Sequence, residues 1–369
     1  MIIGCVKEIK KHEYRVGMTP DNAKEYIHHG HKVFIEASAG FGAGFLDQDY
    51  IDSGAEILYT ASEVWEKADM IIKVKEPLAP EYEMMRENQI LYTYLHLAAD
   101  EKLTLKMLER KVKGVAYETI TDRHKNLPCL KPMSEIAGKL SVQEGAKFLE
   151  KPFGGAGILL GGVPGTPKAN VTIIGGGVVG TSACKIAVGM GANVTILDLN
   201  MDRLTYLDDI FGDRIQTLFS TQANIEKSII SADLVVGAVL IPGASAPKLI
   251  KREYLSKMRP GSVIVDVAID QGGCSEFAKV TYHDDPVFIL DGVVNYCVGN
   301  MPGAVPRTST IALTNSTIKY GLQIADMGLE NAAKKNKDIL EGINTYDGKC
   351  TFKAVAEAFN IEYSAYISK

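Results

Sequence analysis

Residues 169–198 read ANVTIIGGGVVGTSACKIAVGMGANVTILD, and this stretch decides the fold. A short apolar run, residues 171–174, meets Gly175, Gly177 and Gly180 in GxGxxG spacing. An apolar helical segment follows, Gly191 breaks it, and a second apolar run ends in Asp198. Strand, glycine turn, helix and acid-tipped strand together make a dinucleotide-binding βαβ unit. Gly175 is expected to allow the tight turn, Gly177 to let backbone approach a pyrophosphate, and Gly180 to let the helix pack closely on the strand. The helix N-terminus then offers free N–H groups to that pyrophosphate. Asp198, 18 residues past Gly180, is placed to accept hydrogen bonds from the adenosine ribose. A 2′-phosphate would meet its negative charge, so NAD is expected rather than NADP.

The rest of the chain must supply a second domain, because 369 residues exceed the usual size of one. The formal net charge of -5 argues against a nucleic-acid binder. Six cysteines, at 5, 129, 184, 274, 297 and 350, form no CxxC pair and read as buried free thiols in a reducing compartment. The opening MIIGCVKEIKK lacks the apolar core of a signal peptide, and the longest uncharged stretch, at 16 residues, is too short to span a bilayer. A cytoplasmic protein is expected.

Strands are expected at residues 2–6, 32–36, 69–74, 90–95 and 115–118, alternating with helices. A crossing at 122–133 leads into a helix from Ser134 to about residue 150. After the nucleotide unit, strands are expected at 215–219, 234–240, 262–268 and, as the last of that domain, 287–290. Pro302 and Pro306 bracket a return crossing, and helices within 309–336 and at 353–359 complete the first domain. The glycine-rich residues 37–45 read as a turn. The alternation predicts an α/β fold: two Rossmann-like domains with parallel sheets flanked by helices. The expected domains are 1–128 with 306–369, and 129–305, with the active site in the cleft between them, since such sheets bind ligands at strand carboxyl ends.

Four polar residues stand at such ends. Arg15, in the loop after the first strand, offers paired donors suited to a carboxylate, though a solvent arginine would look the same. Lys75 follows DMIIKV, and alternation points Lys73 and Lys75 to one side, so the pattern does not choose between them. His96 follows ILYTYL and can pass a proton near neutrality, with a half-buried structural histidine as the alternative. Asp270 ends SVIVDVAID, where a carboxylate would face the nicotinamide end of a bound dinucleotide; a loop cap is the bland reading. Asp266, within the apolar run, suits a structural role. The histidine group HHGH at 28–31 sits at a helix end and implies no metal.

At this point several long stretches carry a resemblance. KEIKKHEYRVGMTP, KVKEP, TYLHLAAD, MSEIAGKLSVQ, LLGGVPG, IIGGGVVG, AVLIPGA, VIVDVAIDQGGC and NMPGAVPRTST resemble the bacterial alanine dehydrogenase family over essentially the full length. The resemblance implies reversible, NAD-dependent oxidative deamination of L-alanine to pyruvate and ammonium by a cytoplasmic homohexamer. It implies that Arg15 and Lys75 bind substrate, selecting Lys75 over Lys73, and that His96 and Asp270 are catalytic. It further implies cofactor contacts at Ser134, Gly175, Gly177, Val178, Val179, Gly180, Asp198, Arg203, Ser220, Val239, Leu240, Val267, Asp270, Asn300 and Met301. Asn295 and Gly299 depart from residues common in the family, histidine and alanine. Rival readings are the nucleotide-binding part of a proton-translocating transhydrogenase, a saccharopine-forming dehydrogenase and a noncatalytic NAD-binding descendant.

Overall fold

The structure, a computed structural model, describes residues 1–239 and 246–366. It divides into two compact units, Met1–Met133 with Gly303–Lys369, and Ser134–Pro302. The first division falls inside one helix, Lys131–Phe148.

The first unit opens with β1 (Ile2–Cys5), β2 (Lys32–Glu36), β3 (Glu56–Leu58), β4 (Met70–Ile72), β5 (Ile90–Thr93) and β6 (Lys113–Ala116). All six pair in parallel, in the order β3-β2-β1-β4-β5-β6. β4 and β5 are buried at every position, as strands covered on both faces should be. Helix Pro20–His28 begins where sequence asks: Thr19 caps Asn22 N–H, Asn22 caps back, and Pro20 needs no partner for a missing N–H. Thr60 and Glu63 do the same for Ala61–Lys67, which buries Trp65 completely in the core cluster that also holds Phe34, Leu91 and Leu95.

The second unit holds β7 (Asn170–Ile174), β8 (Asn193–Asp198), β9 (Ile215–Phe219), β10 (Leu234–Gly237), β11 (Val263–Asp266), β12 (Val287–Leu290) and β13 (Val293–Tyr296). Their order is β12-β13-β11-β10-β7-β8-β9, parallel except for β12. The expected strand at 287–290 is therefore not the last. It is an antiparallel edge strand, and the fully buried β13 after it lies against β11. The chain then returns through helix Pro306–Met327 to β14 (Ile343–Tyr346) and β15 (Lys349–Cys350), which extend the first sheet antiparallel beyond β6. Neither strand is signalled by the sequence pattern, and β3 is also unheralded. Residues 37–45 form the expected turn, with a 3-10 segment Phe41–Ala43. All six cysteines are buried free thiols.

Candidate active site

Each parallel sheet presents its notable side chains beyond the carboxyl ends of its strands, where loops leave backbone and side-chain groups exposed to a ligand.

In the second unit the glycine turn follows β7. Gly175 has φ +103°, and a Cβ there would lie 2.6 Å from Ala238 O. A Cβ on Gly180 would lie 1.8 Å from Gly175 O, so no larger residue allows this approach of helix Val178–Gly189 to the turn. Gly177 is the N-cap of that helix, no side chain caps it, and a Cβ at 177 would project into open space. The leading N–H groups, those of Val178 and Val179 among them, thus have a donor's geometry toward whatever occupies that space. Asp198 ends β8. Its two oxygens accept from Gly176 N at 2.6 Å and Asn200 N at 2.8 Å, which fixes the carboxylate beside the turn. Arg203 folds over the same turn, giving Nε to Gly176 O and Nη2 to Thr181 Oγ1, both at 2.5 Å, with its guanidinium over Tyr206.

Ser220 and Val239 follow β9 and β10, and Val267 to Asp270 form the turn after β11. Leu240 lies outside the described residues. Asp270 is exposed, and Asn300 N lies 3.3 Å from both its oxygens. Asn300 is left-handed, φ +57°, and precedes Met301, which is buried. Asp266 is wholly buried and accepts from Cys274 N, Ser275 N and Ser275 Oγ at 2.9–3.1 Å, which ties the return of the Asp270 turn to β11. Ser134 lies half-buried in the helix at the unit's start.

In the first unit Arg15 follows β1, Lys75 follows β4 and His96 follows β5. Arg15 is 2% exposed and pairs with Glu13 through Nε at 2.7 Å and Nη2 at 2.6 Å. Its Nη1 faces Met133 Sδ at 3.1 Å. Burial works against the guanidinium's charge, but Glu13 outweighs it and holds the proton more tightly than usual. Lys73 is completely buried between Glu8 at 3.3 Å and Glu81 at 2.8 Å. Lys75 is half-buried. Its N–H lies 3.3 Å from Glu8 Oε1, its carbonyl accepts from Thr93 Oγ1 at 3.0 Å, and Val74 N gives Glu8 a 2.6 Å bond. Glu8 thus staples the loop after β1 to the loop after β4. Burial pushes the Glu8 carboxyl upward, opposed by Lys73 and Val74 N.

His96 sits in the left-handed region at φ +49°, ψ +34°, a conformation that costs a side-chain-bearing residue free energy. Glu118, beyond β6, accepts its N–H at 2.6 Å and that of Leu95 at 3.1 Å. Glu76 Oε2 lies 3.4 Å from His96 Nδ1, and Lys10 pairs with Oε1 of the same carboxylate. Tyr94, whose ring centroid is 5.8 Å from that of His96, sends its hydroxyl to Cys129 O. The five carboxylates Glu8, Glu13, Glu76, Glu81 and Glu118 escape the reading of motifs. Glu8, Glu13 and Glu76 stand inside KEIKKHEYR and KVKEP, so acids crowding the cations of strand-end loops were the available signal.

Two parallel-sheet units, one carrying a glycine turn shaped for a pyrophosphate, define a dinucleotide-binding α/β protein. Comparison narrows this class. Residues 4–137 match the alanine dehydrogenase/PNT N-terminal domain, and residues 141–353 match the corresponding C-terminal domain; the chain belongs to the alanine dehydrogenase/PNT family. It is 56% identical over 365 residues to an alanine dehydrogenase of Methanococcus maripaludis, covering 99% of this chain and 98% of that one. A solved L-alanine dehydrogenase superposes with TM-score 0.95 at 49% identity, covering 98% and 99% of the two chains. A solved transhydrogenase from Sinorhizobium meliloti gives 0.82 at 25% identity, covering 96% and 100%.

Proposed function

We propose that the chain is an NAD-dependent L-alanine dehydrogenase, converting L-alanine, NAD and water reversibly to pyruvate, ammonium, NADH and a proton. One observation carries the reading: a chain similar to alanine dehydrogenases over nearly all its length sets Arg15, Lys75 and His96 on adjoining strand ends of one sheet.

The residues present fit the dinucleotide. The open space at Gly177 and the uncapped helix start suit a pyrophosphate, and Asp198 suits a ribose bearing free hydroxyls. Bound NAD supplies the hydride acceptor for Cα. Arg15 takes the substrate carboxylate. Its Nη1 faces the Met133 thioether sulfur at 3.1 Å, a weak acceptor that a carboxylate oxygen readily outcompetes. Burial strengthens that pairing, and Glu13 keeps the guanidinium charged and fixed. Lys75 directs its ammonium at the carbonyl oxygen of pyruvate or its hydrated precursor. Lys73 is locked between two carboxylates and completely buried. His96 holds or moves a proton on the reacting amine or carbonyl, and Asp270 serves the attack of water and the departure of ammonia. Ser220, Val239, Val267, Asn300 and Met301, in the segments that follow strands, are assigned to the dinucleotide together with Ser134 on the helix that opens the unit, and Arg203 to its adenosine side. Homohexameric assembly in the cytoplasm belongs to the same reading, and light scattering on the purified protein tests the assembly.

The deciding assay is reductive amination of a keto-acid panel with NADH and ammonium. Pyruvate is expected to lead, with NADPH far weaker. Preference for glyoxylate, 2-oxobutyrate or 2-oxoglutarate would overturn the substrate. Tight NADH binding with no turnover of any keto acid would favour a noncatalytic nucleotide-binding role.

A further inference from the structure

Glu76 belongs to no assignment made so far, yet its two oxygens have different fates. Oε1 is held by Lys10. Oε2 is buried and has no ordinary hydrogen-bond partner among the described residues, while His96 Nδ1 stands 3.4 Å away. A buried acceptor left without a donor is costly, and a small rotation of the imidazole closes the gap. Burial pushes the Glu76 carboxyl upward, but His96 and Lys10 outweigh it and hold it well below the ordinary carboxylate range. Glu76 is therefore ionised near neutrality and can only accept, so the atom facing Oε2 must carry a hydrogen.

The other contacts of His96 leave this one to set the ring. Glu118 holds the backbone N–H and so maintains the left-handed perch from which the side chain leaves. Tyr94 lies beside the ring but spends its hydroxyl on Cys129 O. The His96 side chain is 45% exposed, and Nε2 has no hydrogen-bond partner among the described residues.

We propose that Glu76 is the positioning residue of His96: its Oε2 takes the Nδ1–H and fixes the ring in the tautomer whose Nε2 is bare. A carboxylate behind an imidazole selects the tautomer in this way wherever the far nitrogen has work to do. The bare Nε2 is then the atom that accepts a proton in the direction of alanine oxidation. The consequence for catalysis rests on the proposed role of His96, whereas the tautomer is read without turnover.

The test is the nitrogen spectrum of full-length protein labelled with 15N-histidine, at a pH where the His96 ring is neutral. The His96 signals are identified by their loss in His96→Asn. Histidine in water prefers Nε2–H, so the expected wild-type result, a protonated Nδ1, is the reverse of the default. Glu76→Leu is expected to return the ring to Nε2–H. Lys10→Met, which removes the carboxylate's other partner, is expected to keep Nδ1–H. In turnover, Glu76→Leu is expected to lower kcat by about tenfold or more with little change in KM for pyruvate, and Glu76→Asp to recover part of it. Nε2–H in the wild type overturns the proposal even if Glu76→Leu does not fold. Nδ1–H surviving in Glu76→Leu, or lost in Lys10→Met, overturns it as well. Wild-type turnover by His96→Asn would instead remove the catalytic role of His96 and leave the tautomer result standing.

Discussion

Lys73 and Lys75 are two residues apart and chemically identical, and the structure gives them different surroundings. Lys73 is fully buried between Glu8 and Glu81; burial weakens its hold on the proton, but the two carboxylates more than restore it. Lys73→Met would strand both acids without their cation, so it is expected to lower unfolding free energy by about 3–5 kcal/mol, read by denaturant titration. Lys75→Met removes a half-buried side chain and is expected to cost less stability than Lys73→Met while lowering turnover by about 100-fold or more. A stable, inactive Lys73→Met would exchange the two assignments. Glu76 makes a separate prediction about pH. Its carboxyl is held low in the folded protein, so its pairing contributes stability above the unfolded carboxylate pKa, and that contribution is lost as pH falls through the folded value. The stability cost of Glu76→Gln is therefore expected to be full at neutral pH and to shrink below about pH 4.3, measured as the difference in denaturation midpoint between the two proteins. A cost that grew as the pH fell would contradict the direction of the shift. None of these carboxylate partnerships is visible in the sequence. Which acid meets which cation is decided by loops from different strands, 66 residues apart for Lys10 and Glu76.

Elements were legible where one local rule sufficed. β7, β10 and β11 are short apolar runs followed by a turn signal, and they form as such because both faces of a parallel sheet are covered. The helix start at Pro20 follows directly from Thr19 and Asn22. β13 went unread because Asn295 interrupts VVNY and Gly292 precedes it, although the strand is buried at all four positions. β14 and β15 are short, and β14 joins the sheet by pairing with β6, more than 200 residues earlier in the chain, as well as with β15. The glycine turn is the element that sequence described most fully, and it separates packing from binding. Gly180→Ala places a Cβ against Gly175 O and must push helix Val178–Gly189 outward. It is expected to cost about 1–3 kcal/mol of stability together with NADH affinity. Gly177→Ala meets nothing within 4 Å; it is expected to cost about 1 kcal/mol or less through the helix cap yet to weaken NADH binding about tenfold or more. Thermal melts and NADH fluorescence titrations on the two variants separate these outcomes. Unchanged NADH affinity in Gly177→Ala would mean that the pyrophosphate does not approach the turn there.

At the scale of the whole chain, the first unit is discontinuous, and its completion by the return segment is the feature that binds the molecule's ends together. Helix Pro306–Met327 is not an appendage of that unit. Thr310 Oγ1 accepts Val16 N at 3.2 Å beside Arg15, Thr317 O accepts Tyr92 Oη at 2.9 Å, and Arg307 reaches Gly44 O. β14 pairs along β6, and Thr345 Oγ1 both accepts from Gly114 N and donates to Val112 O. A chain ended at Pro302 would leave β6 as an open edge with unpaired backbone groups, a template for intermolecular pairing, and would expose the apolar surface that the helix covers. It would also loosen the loop that carries Arg15. The second unit, Ser134–Pro302, keeps all seven of its strands in such a chain. The truncated protein is therefore expected to lose alanine-dependent NADH production and the cooperative unfolding of its first unit, to aggregate, and still to bind NADH in its soluble fraction. Alanine oxidation by the truncated chain at a rate near that of the full protein would show that β1 to β6 alone hold Arg15, Lys75 and His96 in place, and that the return segment contributes nothing to the site.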